Sequence, residues 1–227
     1  FLDLHSVGVY GAGYKIGSIM SLVVTAFNLN WQPYYLKQKD VQNNDFGKIG
    51  NWFILGLIYI LTMLVFLSNV IITINYNGYY LIGEEFWSCV SVVPFVALGY
   101  LFYGIFILQM PSIYLLNKQR WVLVFWTVGA LVNVVGNVIL IPWLGILGAA
   151  ISTSFSYFIM LVFIVFKNRL WLPIKYSFKY LGGFVLFSFF VLFSKVFDFG
   201  LGLGFLFVVV FLYTSLYLVV SFKFIKK

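Results

Sequence analysis

Charged side chains are scarce in this 227-residue chain: Asp, Glu, Lys and Arg make up 9% of the residues, whereas hydrophobic residues make up 63%. An average soluble domain carries about 25% charged residues because its surface faces water. The mean hydropathy of the chain is +1.04. The composition therefore excludes an ordinary water-soluble domain and predicts an integral membrane protein, whose helices satisfy their own backbone hydrogen bonds in lipid.

Cysteine and histidine are almost absent, with Cys89 and His5 as the only examples. One cysteine cannot form an intrachain disulfide, and no cluster of cysteines is available to hold a metal ion. A single histidine likewise excludes zinc-protease and histidine-triad chemistry within this chain. We therefore predict neither a metal site nor a cofactor.

Acidic residues are missing from the middle of every long apolar run. The six of them lie in connections or at the ends of runs, namely Asp3, Asp40, Asp45, Glu84, Glu85 and Asp198. A carboxylate relay for protons or sodium is therefore not evident in this sequence. Nor is there a constellation for general acid–base or nucleophilic catalysis, so we predict that the protein is not an enzyme.

Seven apolar runs qualify, or nearly qualify, as helices of about 20 residues that cross a hydrocarbon core of about 30 Å. These predicted spans are residues 7–30, 52–74, 87–109, 121–141, 145–166, 181–199 and 203–222. The predicted fold class is an all-α integral membrane protein, a polytopic helical bundle of about seven transmembrane helices.

Basic residues are concentrated in alternate connections. The connections after the odd-numbered spans, including the C-terminal tail, hold twelve of the fourteen basic residues. The start of the chain and the even-numbered connections hold Asp3, Glu84, Glu85 and Asp198 and no basic residue. The positive-inside rule then predicts that the basic connections and the C-terminus are cytoplasmic. Because this distribution accounts for the net charge of +8, that charge does not indicate nucleic-acid binding.

The segment "FNLNWQPYYLKQKD", residues 27–40, follows the first apolar run. We interpret it as the cytoplasmic exit of span one, where Asn28 and Asn30 meet headgroup water and Lys37 marks the inner side. Pro33 suits the first turn of a helix, because a proline there loses no helical hydrogen bond. The segment is therefore predicted to change at Pro33 into a separate interfacial helix.

Lys15 lies deep in span one, eight residues beyond Val7. At 1.5 Å per residue this is about 12 Å into a hydrocarbon core whose midplane is about 15 Å deep. A lysine charge left in lipid there would cost about 2.5–3.5 kcal/mol. We therefore expect Lys15 to face an aqueous cavity or, alternatively, a structural partner elsewhere in the protein. Lys195, three residues before Asp198, can instead pair near the end of span six.

Span one is also the least apolar span, and its Tyr and Ser residues recur at helical spacing around Lys15. The spacing Gly13-x-x-x-Gly17 permits close packing against another helix. A polar face together with a small-residue face predicts a helix that lines a cavity. In span four, Asn133 and Asn137 share one helix face; they could bind a saccharide or equally join two helices by hydrogen bonds.

Two stretches of the sequence resemble a known family: "VGVYGAGYKIGSIMSLVVTAFNLNWQPYYLK" at 7–37 and "NVVGNVILIPWLGILGAAISTSFSY" at 133–157. They resemble the later half of Wzx-type polysaccharide flippases, bacterial translocases of lipid-linked oligosaccharides. The superfamily of these flippases also contains the multidrug and toxin extrusion antiporters and the lipid II flippases. Gly13 stands where alanine is commoner in the family pattern, and the resemblance is weak after about residue 170.

The resemblance implies a two-lobed transporter, because family members commonly have two six-helix lobes around a central cavity and two added helices. On that template this chain would be the later half of a longer protein. Residues 1–170 would form the second lobe, and residues 171–227 a cytoplasmic connection with two additional C-terminal transmembrane helices.

The resemblance also implies the function: flipping an undecaprenyl-diphosphate-linked oligosaccharide, such as an O-antigen repeat unit of lipopolysaccharide, across the bacterial cytoplasmic membrane by alternating access. Implied partners are the lipid-linked oligosaccharide, membrane lipids, a polysaccharide polymerase and glycosyltransferases, with no role for nucleic acid. The candidate substrate-binding residues are Lys15 for the anionic headgroup, Tyr10, Tyr14 and Asn28 for a polar lining, and Asn133 and Asn137.

Three alternatives stay open. A drug or cation antiporter of the same superfamily would favour anionic residues in its cavity, whereas this chain offers a lysine. A membrane glycan polymerase or ligase, which is an enzyme, would need a large external loop with catalytic residues. The longest predicted outer connection, about residues 75–86, holds neither Arg nor His. A non-transporting assembly subunit is the third alternative.

Overall fold

The computed structural model is a bundle of α-helices. It describes residues 2–38, 45–176, 182–186, 188, 208 and 211–219. The helices are α1 (Leu4–Gly17), α2 (Ile19–Leu36), α3 (Phe46–Ile72), α4 (Val93–Leu108), α5 (Pro111–Leu115), α6 (Arg120–Leu144) and α7 (Ile146–Trp171). Residues 182–186 and 211–219 are also helical. A 3-10 helix, Glu84–Ser91, precedes α4.

Four helical segments are long and apolar enough to cross a membrane: Phe46–Ile72, Val93–Leu115, Arg120–Leu144 and Ile146–Trp171. The bent pair of α1 and α2 forms a fifth segment of this kind. These five segments overlap the first five predicted spans, with ends that differ by up to six residues, and they confirm an all-α, multi-pass membrane fold. The predicted spans 181–199 and 203–222, and with them the pairing of Lys195 with Asp198, lie largely or wholly outside the described residues.

Span one is a broken helix rather than one straight rod. α1 and α2 meet at Ser18 with a bend of 40°. The hydroxyl of Ser18 donates to the carbonyl of Lys15 at 2.9 Å, and the hydroxyl of Ser21 donates to the carbonyl of Ser18 at 2.6 Å. These two bonds supply donors to backbone carbonyls at the break, where lipid could not.

The predicted boundary at Pro33 is wrong. α2 continues without a break to Leu36, and Pro33 lies inside its last turns. A proline crowds the preceding turn and lacks the N–H that would pair with the carbonyl of Leu29, so α2 loses one internal hydrogen bond but does not end there. Pro33 and Leu29, four residues before it, are both exposed, so the site has room to accommodate the ring.

The connection after α3 contains a two-stranded antiparallel hairpin, β1 (Asn75–Tyr76) and β2 (Tyr79–Tyr80). Its two turn residues, Asn77 and Gly78, have φ of 51° and 86°. Positive φ at both central positions is the pattern of a type I′ turn, for which Asn-Gly is the favoured sequence. The all-α class therefore holds for the membrane part, with one short hairpin outside it.

The helices run back and forth between two ends of the bundle. One end, which we call the basic end, carries Lys37, Lys48, Lys118, Arg120, Lys167, Arg169 and Lys175, together with one described acidic residue, Asp45. The opposite, acidic end carries Asp3, Glu84 and Glu85. The charges thus separate as the alternation in the sequence predicted. Which end faces the cytoplasm stays a prediction.

Candidate functional site

Lys15 projects from α1 on the side opposite its packed face. A Cβ atom at Gly13 would lie 2.5 Å from the carbonyl oxygen of Cys89, and one at Gly17 would lie 2.7 Å from Cβ of Val96. These two glycines therefore set α1 directly against the 3-10 helix and α4. Because each residue turns a helix by about 100°, Lys15, midway between them, points about 160° away from both. Its side chain is exposed.

Apolar residues flank Lys15 along the exposed face of α1 and α2. They include Leu4, Val7, Ile19, Leu22 and Leu29, which are 90%, 52%, 41%, 69% and 72% exposed. No other Asp, Glu, Lys or Arg lies between Leu4 and Leu29. Among the described residues, no hydrogen bond or ion pair reaches Nζ of Lys15. The face therefore presents one uncompensated positive charge about one third of the way along the broken helix, counted from its start at Leu4.

Tyrosines from three helices lie beside this face. The hydroxyls of Tyr14 on α1 and Tyr100 on α4 are 2.7 Å apart. The ring centroids of Tyr10 and Tyr14 are 5.8 Å apart, those of Tyr14 and Tyr100 6.4 Å, and those of Tyr100 and Tyr157 on α7 6.1 Å. All four tyrosines are partly buried. They form a row of rings and hydroxyls, which we call the tyrosine row.

The sequence pointed to Tyr10 and Tyr14 but missed Tyr100 and Tyr157. Tyr14 and Tyr100 are 86 residues apart in the chain, so no helical spacing connects them. A tyrosine inside an otherwise apolar span, where its hydroxyl needs a partner, was the one available signal for Tyr100.

Asn28 lies apart from Lys15. It is on α2, thirteen residues further along the broken helix, which corresponds to about 20 Å along the axis. Its side chain is partly buried. Lys15 and Asn28 therefore do not belong to one compact site, although both lie on the helix that leads towards the basic end.

Asn133 joins α6 to α7, and Asn137 supports it from the same helix. Asn133 donates from Nδ2 to the hydroxyl of Thr153 at 3.2 Å, and Asn137 donates from Nδ2 to Oδ1 of Asn133 at 3.1 Å. The hydroxyl of Ser152 donates to the backbone carbonyl of Asn133 at 2.8 Å. These contacts favour the helix-joining interpretation of Asn133, whereas the bond of Asn137 lies within α6. Oδ1 of Asn137 is buried and has no hydrogen-bond partner. A substrate contact by either side chain stays a prediction.

Within the described part of the chain, no group of three or more His, Cys, Asp or Glu side chains could hold a metal ion. The one cysteine, Cys89, is buried against α1. The chemistry available at the exposed face is therefore that of one ammonium group, several phenols and the apolar side chains around them.

Comparisons with known proteins agree with the membrane fold. No family model matches the sequence. The chain is 35% identical over 109 residues to an uncharacterized membrane protein of Methanocaldococcus jannaschii, a match that covers 48% of this chain and 20% of that protein. The structure is similar to that of the lipid II flippase MurJ in its inward closed conformation, with a TM-score of 0.63 and 18% sequence identity.

The structural match covers 97% of this chain and 46% of the MurJ chain. The chain thus spans about a fifth of the archaeal membrane protein and about half of the flippase structure. At 18% identity the likeness establishes a common fold. The chain is an all-helical, multi-pass membrane protein with the architecture of part of that transporter.

Proposed function

We propose that this chain is part of a transporter that flips a lipid-linked oligosaccharide across a membrane. The observation that carries the proposal is Lys15: an exposed lysine without a partner among the described residues, deep in a broken membrane helix and beside the tyrosine row. An uncompensated charge at that depth is costly unless it meets water or an anion, so intramembrane lysines commonly mark a path for a ligand. The shared fold with a lipid II flippase supports the same conclusion.

The substrate we propose is an undecaprenyl-diphosphate-linked oligosaccharide, in keeping with the resemblance of the two sequence stretches to polysaccharide flippases. The diphosphate carries the negative charge that the ammonium of Lys15 would attract by a charge-assisted hydrogen bond. Phenol groups such as those of Tyr10 and Tyr14 present both an apolar ring face and a hydroxyl, which suits a sugar with apolar and polar sides. Asn28 would contribute to the polar lining of the path nearer the basic end.

The proposed mechanism is alternating access. Residues 1–170 would act as one lobe that moves against a second lobe, with Lys15 and the tyrosine row facing the cavity between them. The broken helix of α1 and α2 suits this role, because discontinuous helices commonly form substrate sites in transporters. We assign residues 171–227 to the additional C-terminal segment, and we place the C-terminus in the cytoplasm of a bacterial cell. A polysaccharide polymerase and glycosyltransferases are the proposed partners.

A series of substitutions at Lys15 tests the proposal. In proteoliposomes that hold the complete transporter and a fluorescent undecaprenyl-diphosphate oligosaccharide, we expect Lys15→Gln to lower the flipping rate by about tenfold, since one charge-assisted contact is removed. Lys15→Arg keeps the charge and should retain more of the rate than Lys15→Gln. The readout is the fraction of labelled substrate that becomes accessible to an external quencher.

Lys37→Gln is the matched control, because Lys37 is also exposed on this helix but lies at its basic end. It should leave the flipping rate close to that of the unmodified protein. A normal rate in Lys15→Gln, at normal protein level and thermal stability, would rule out the headgroup role of Lys15.

A further inference from the structure

A second site lies on the opposite side of the bundle from Lys15. A groove of about 870 Å³ runs between α3, α4, α7 and the helical residues 182–186, and no residue of α1 lines it. Ile54, Leu98, Leu101, Ile105 and Val185 are among the apolar side chains of its wall. The volume lies within the range of about 300–1,000 Å³ that is usual for small-molecule sites.

One end of the groove is polar. Asn168 of α7 donates from Nδ2 to the backbone carbonyl of Gln109 at 3.0 Å and to its side-chain Oε1 at 3.1 Å. Gln109 in turn donates from Nε2 to the hydroxyl oxygen of Tyr176 at 2.7 Å. Because Oε1 of Gln109 is occupied by Asn168, the hydroxyl of Tyr176 acts as the acceptor in this contact and keeps its own proton available for donation.

The ring of Tyr176 is held in place at this end of the groove by the backbone of α3. A Cβ atom at Gly50 of α3 would lie 2.7 Å from the ring of Tyr176, so the ring packs directly on the helix backbone. Burial raises the pKa of the Tyr176 phenol. The phenol therefore stays protonated near neutral pH and can serve as a neutral donor.

The charged residue that lines the groove is basic. Arg169 lines the groove and is exposed, and Lys175 lies one residue before Tyr176. Among the described residues that line the groove there is no Asp or Glu. An apolar groove with an arginine and a phenol donor at its mouth complements a molecule that has an apolar chain and a negative headgroup.

We propose that this groove binds an anionic glycerophospholipid of the leaflet at the basic end. One acyl chain lies along the apolar wall of α3, α4 and α7, and the phosphate meets Arg169 and the hydroxyl of Tyr176. A zwitterionic phospholipid fits less well, since its ammonium group would find no carboxylate in the described lining. The site is separate from the face that carries Lys15, so it goes beyond the proposed transport function and does not depend on it.

The test is a lipid titration of the purified protein followed by native mass spectrometry. We expect phosphatidylglycerol to bind about tenfold more tightly than phosphatidylcholine with the same acyl chains. Arg169→Gln should reduce phosphatidylglycerol affinity by about fivefold, since one arginine near a membrane surface contributes about 1 kcal/mol. Tyr176→Phe, made in addition to Arg169→Gln, should reduce phosphatidylglycerol affinity further, because the phosphate then also loses the phenol donor. Arg169→Gln should lower phosphatidylcholine affinity less than phosphatidylglycerol affinity, because the choline ammonium leaves that lipid without a net charge for the arginine to attract.

Arg120→Gln is the control, because Arg120 is exposed at the same end but does not line the groove. It should leave phosphatidylglycerol affinity unchanged. Glycerophosphoglycerol, the headgroup without acyl chains, tests the groove itself and should bind at least tenfold more weakly than the whole lipid. Equal affinity for the two phospholipids, an equal loss in Arg120→Gln and Arg169→Gln, or headgroup binding as tight as that of the lipid would each overturn the proposal.

Discussion

At the scale of residues, five positions of α1 combine close packing on a neighbouring helix with a lysine that points away from it. Gly13 and Gly17 bring its backbone against Cys89 and Val96, and Lys15 between them is thereby turned away from the lobe. The orientation of the lysine thus depends on the absence of two side chains. The small-residue spacing in the sequence predicted this close packing, and the structure confirms it.

We expect Gly17→Ala to destabilise the protein. The new Cβ would meet Cβ of Val96 at 2.7 Å, closer than two carbon atoms can approach, so α1 would have to move away from α4. Overpacking of this kind typically costs about 1–3 kcal/mol. The measurement is the midpoint of thermal unfolding in detergent, which should fall by several degrees.

Gly11→Ala is the control within the same helix, because nothing lies within 4 Å of the position its Cβ would take. Alanine is a better helix former than glycine by about 1 kcal/mol, so this variant should be at least as stable as the unmodified protein. An equal loss of stability in both variants would contradict the close packing of α1 on α4.

At the scale of elements, the apolar pattern predicted which segments form the long helices but not where each helix ends. Span one was predicted to end at residue 30, yet α2 continues to Leu36 through polar residues and Pro33. Loss of hydrophobicity marks the interface with water, whereas a helix ends where its hydrogen bonds and caps allow. No proline lies at the bend at Ser18, so nothing in the sequence indicated it. Serine hydroxyls donate to the carbonyls of Lys15 and Ser18 there.

The hairpin at 75–80 was not predicted, although the sequence contains a dipeptide that favours it. Asn77-Gly78 between short β-forming segments favours a two-residue turn. The connection is also polar and lies beyond the end of α3. The search for long apolar runs, which located the membrane helices, does not predict the local structure of such a connection. The connection between α6 and α7 is shorter than predicted: span four was predicted to end at residue 141, but α6 continues to Leu144, and a single glycine separates it from α7.

Gly145 is that glycine, and its replacement should weaken the α6–α7 connection. Its φ and ψ are 57° and −132°, a backbone conformation that residues with a Cβ rarely adopt. We expect Gly145→Ala to lower stability by about 1–3 kcal/mol, the usual range for such strain. Thermal unfolding monitored by circular dichroism would report the loss.

Gly83→Ala provides the comparison. Gly83 also lies in a connection, but its φ of −55° and ψ of 144° are accessible to alanine, and its Cβ would meet no atom closer than 3.6 Å. We expect the melting temperature of this variant to stay close to that of the unmodified protein. A melting temperature of Gly145→Ala that matches that of Gly83→Ala would show that the connector relaxes at no cost.

At the scale of the whole molecule, the sequence predicted the features that depend on the surrounding solvent, such as the apolar spans. It did not predict the side-chain pairs that form only when helices pack together. The number of described spans and the separation of charges follow from the hydropathy and the alternation of Lys and Arg. The partner of Tyr14 does not, because Tyr100 reaches it through the packing of α1 on α4. Asn133 was predicted to share a helix face with Asn137, to which it is hydrogen-bonded, but its partner Thr153 lies across a helix–helix interface.

Orientation in the membrane is the remaining property of the whole chain that the charge pattern predicts, and two asparagines provide a matched test. Asn77 and Asn117 are both exposed, both outside the helices, and have φ of 51° and 56°. Replacing either with cysteine therefore imposes a similar backbone strain.

Asn77 lies in the hairpin at the acidic end, and Asn117 lies between α5 and α6 at the basic end. The natural cysteine, Cys89, is fully buried, so its background labelling should be low. By the positive-inside rule, a membrane-impermeant maleimide added to intact cells should modify Asn77→Cys and leave Asn117→Cys unmodified. After the membrane is permeabilised, both should react. Labelling of Asn117→Cys alone in intact cells would show that the predicted orientation is reversed. The anionic headgroup would then first approach Lys15 from the opposite side of the membrane.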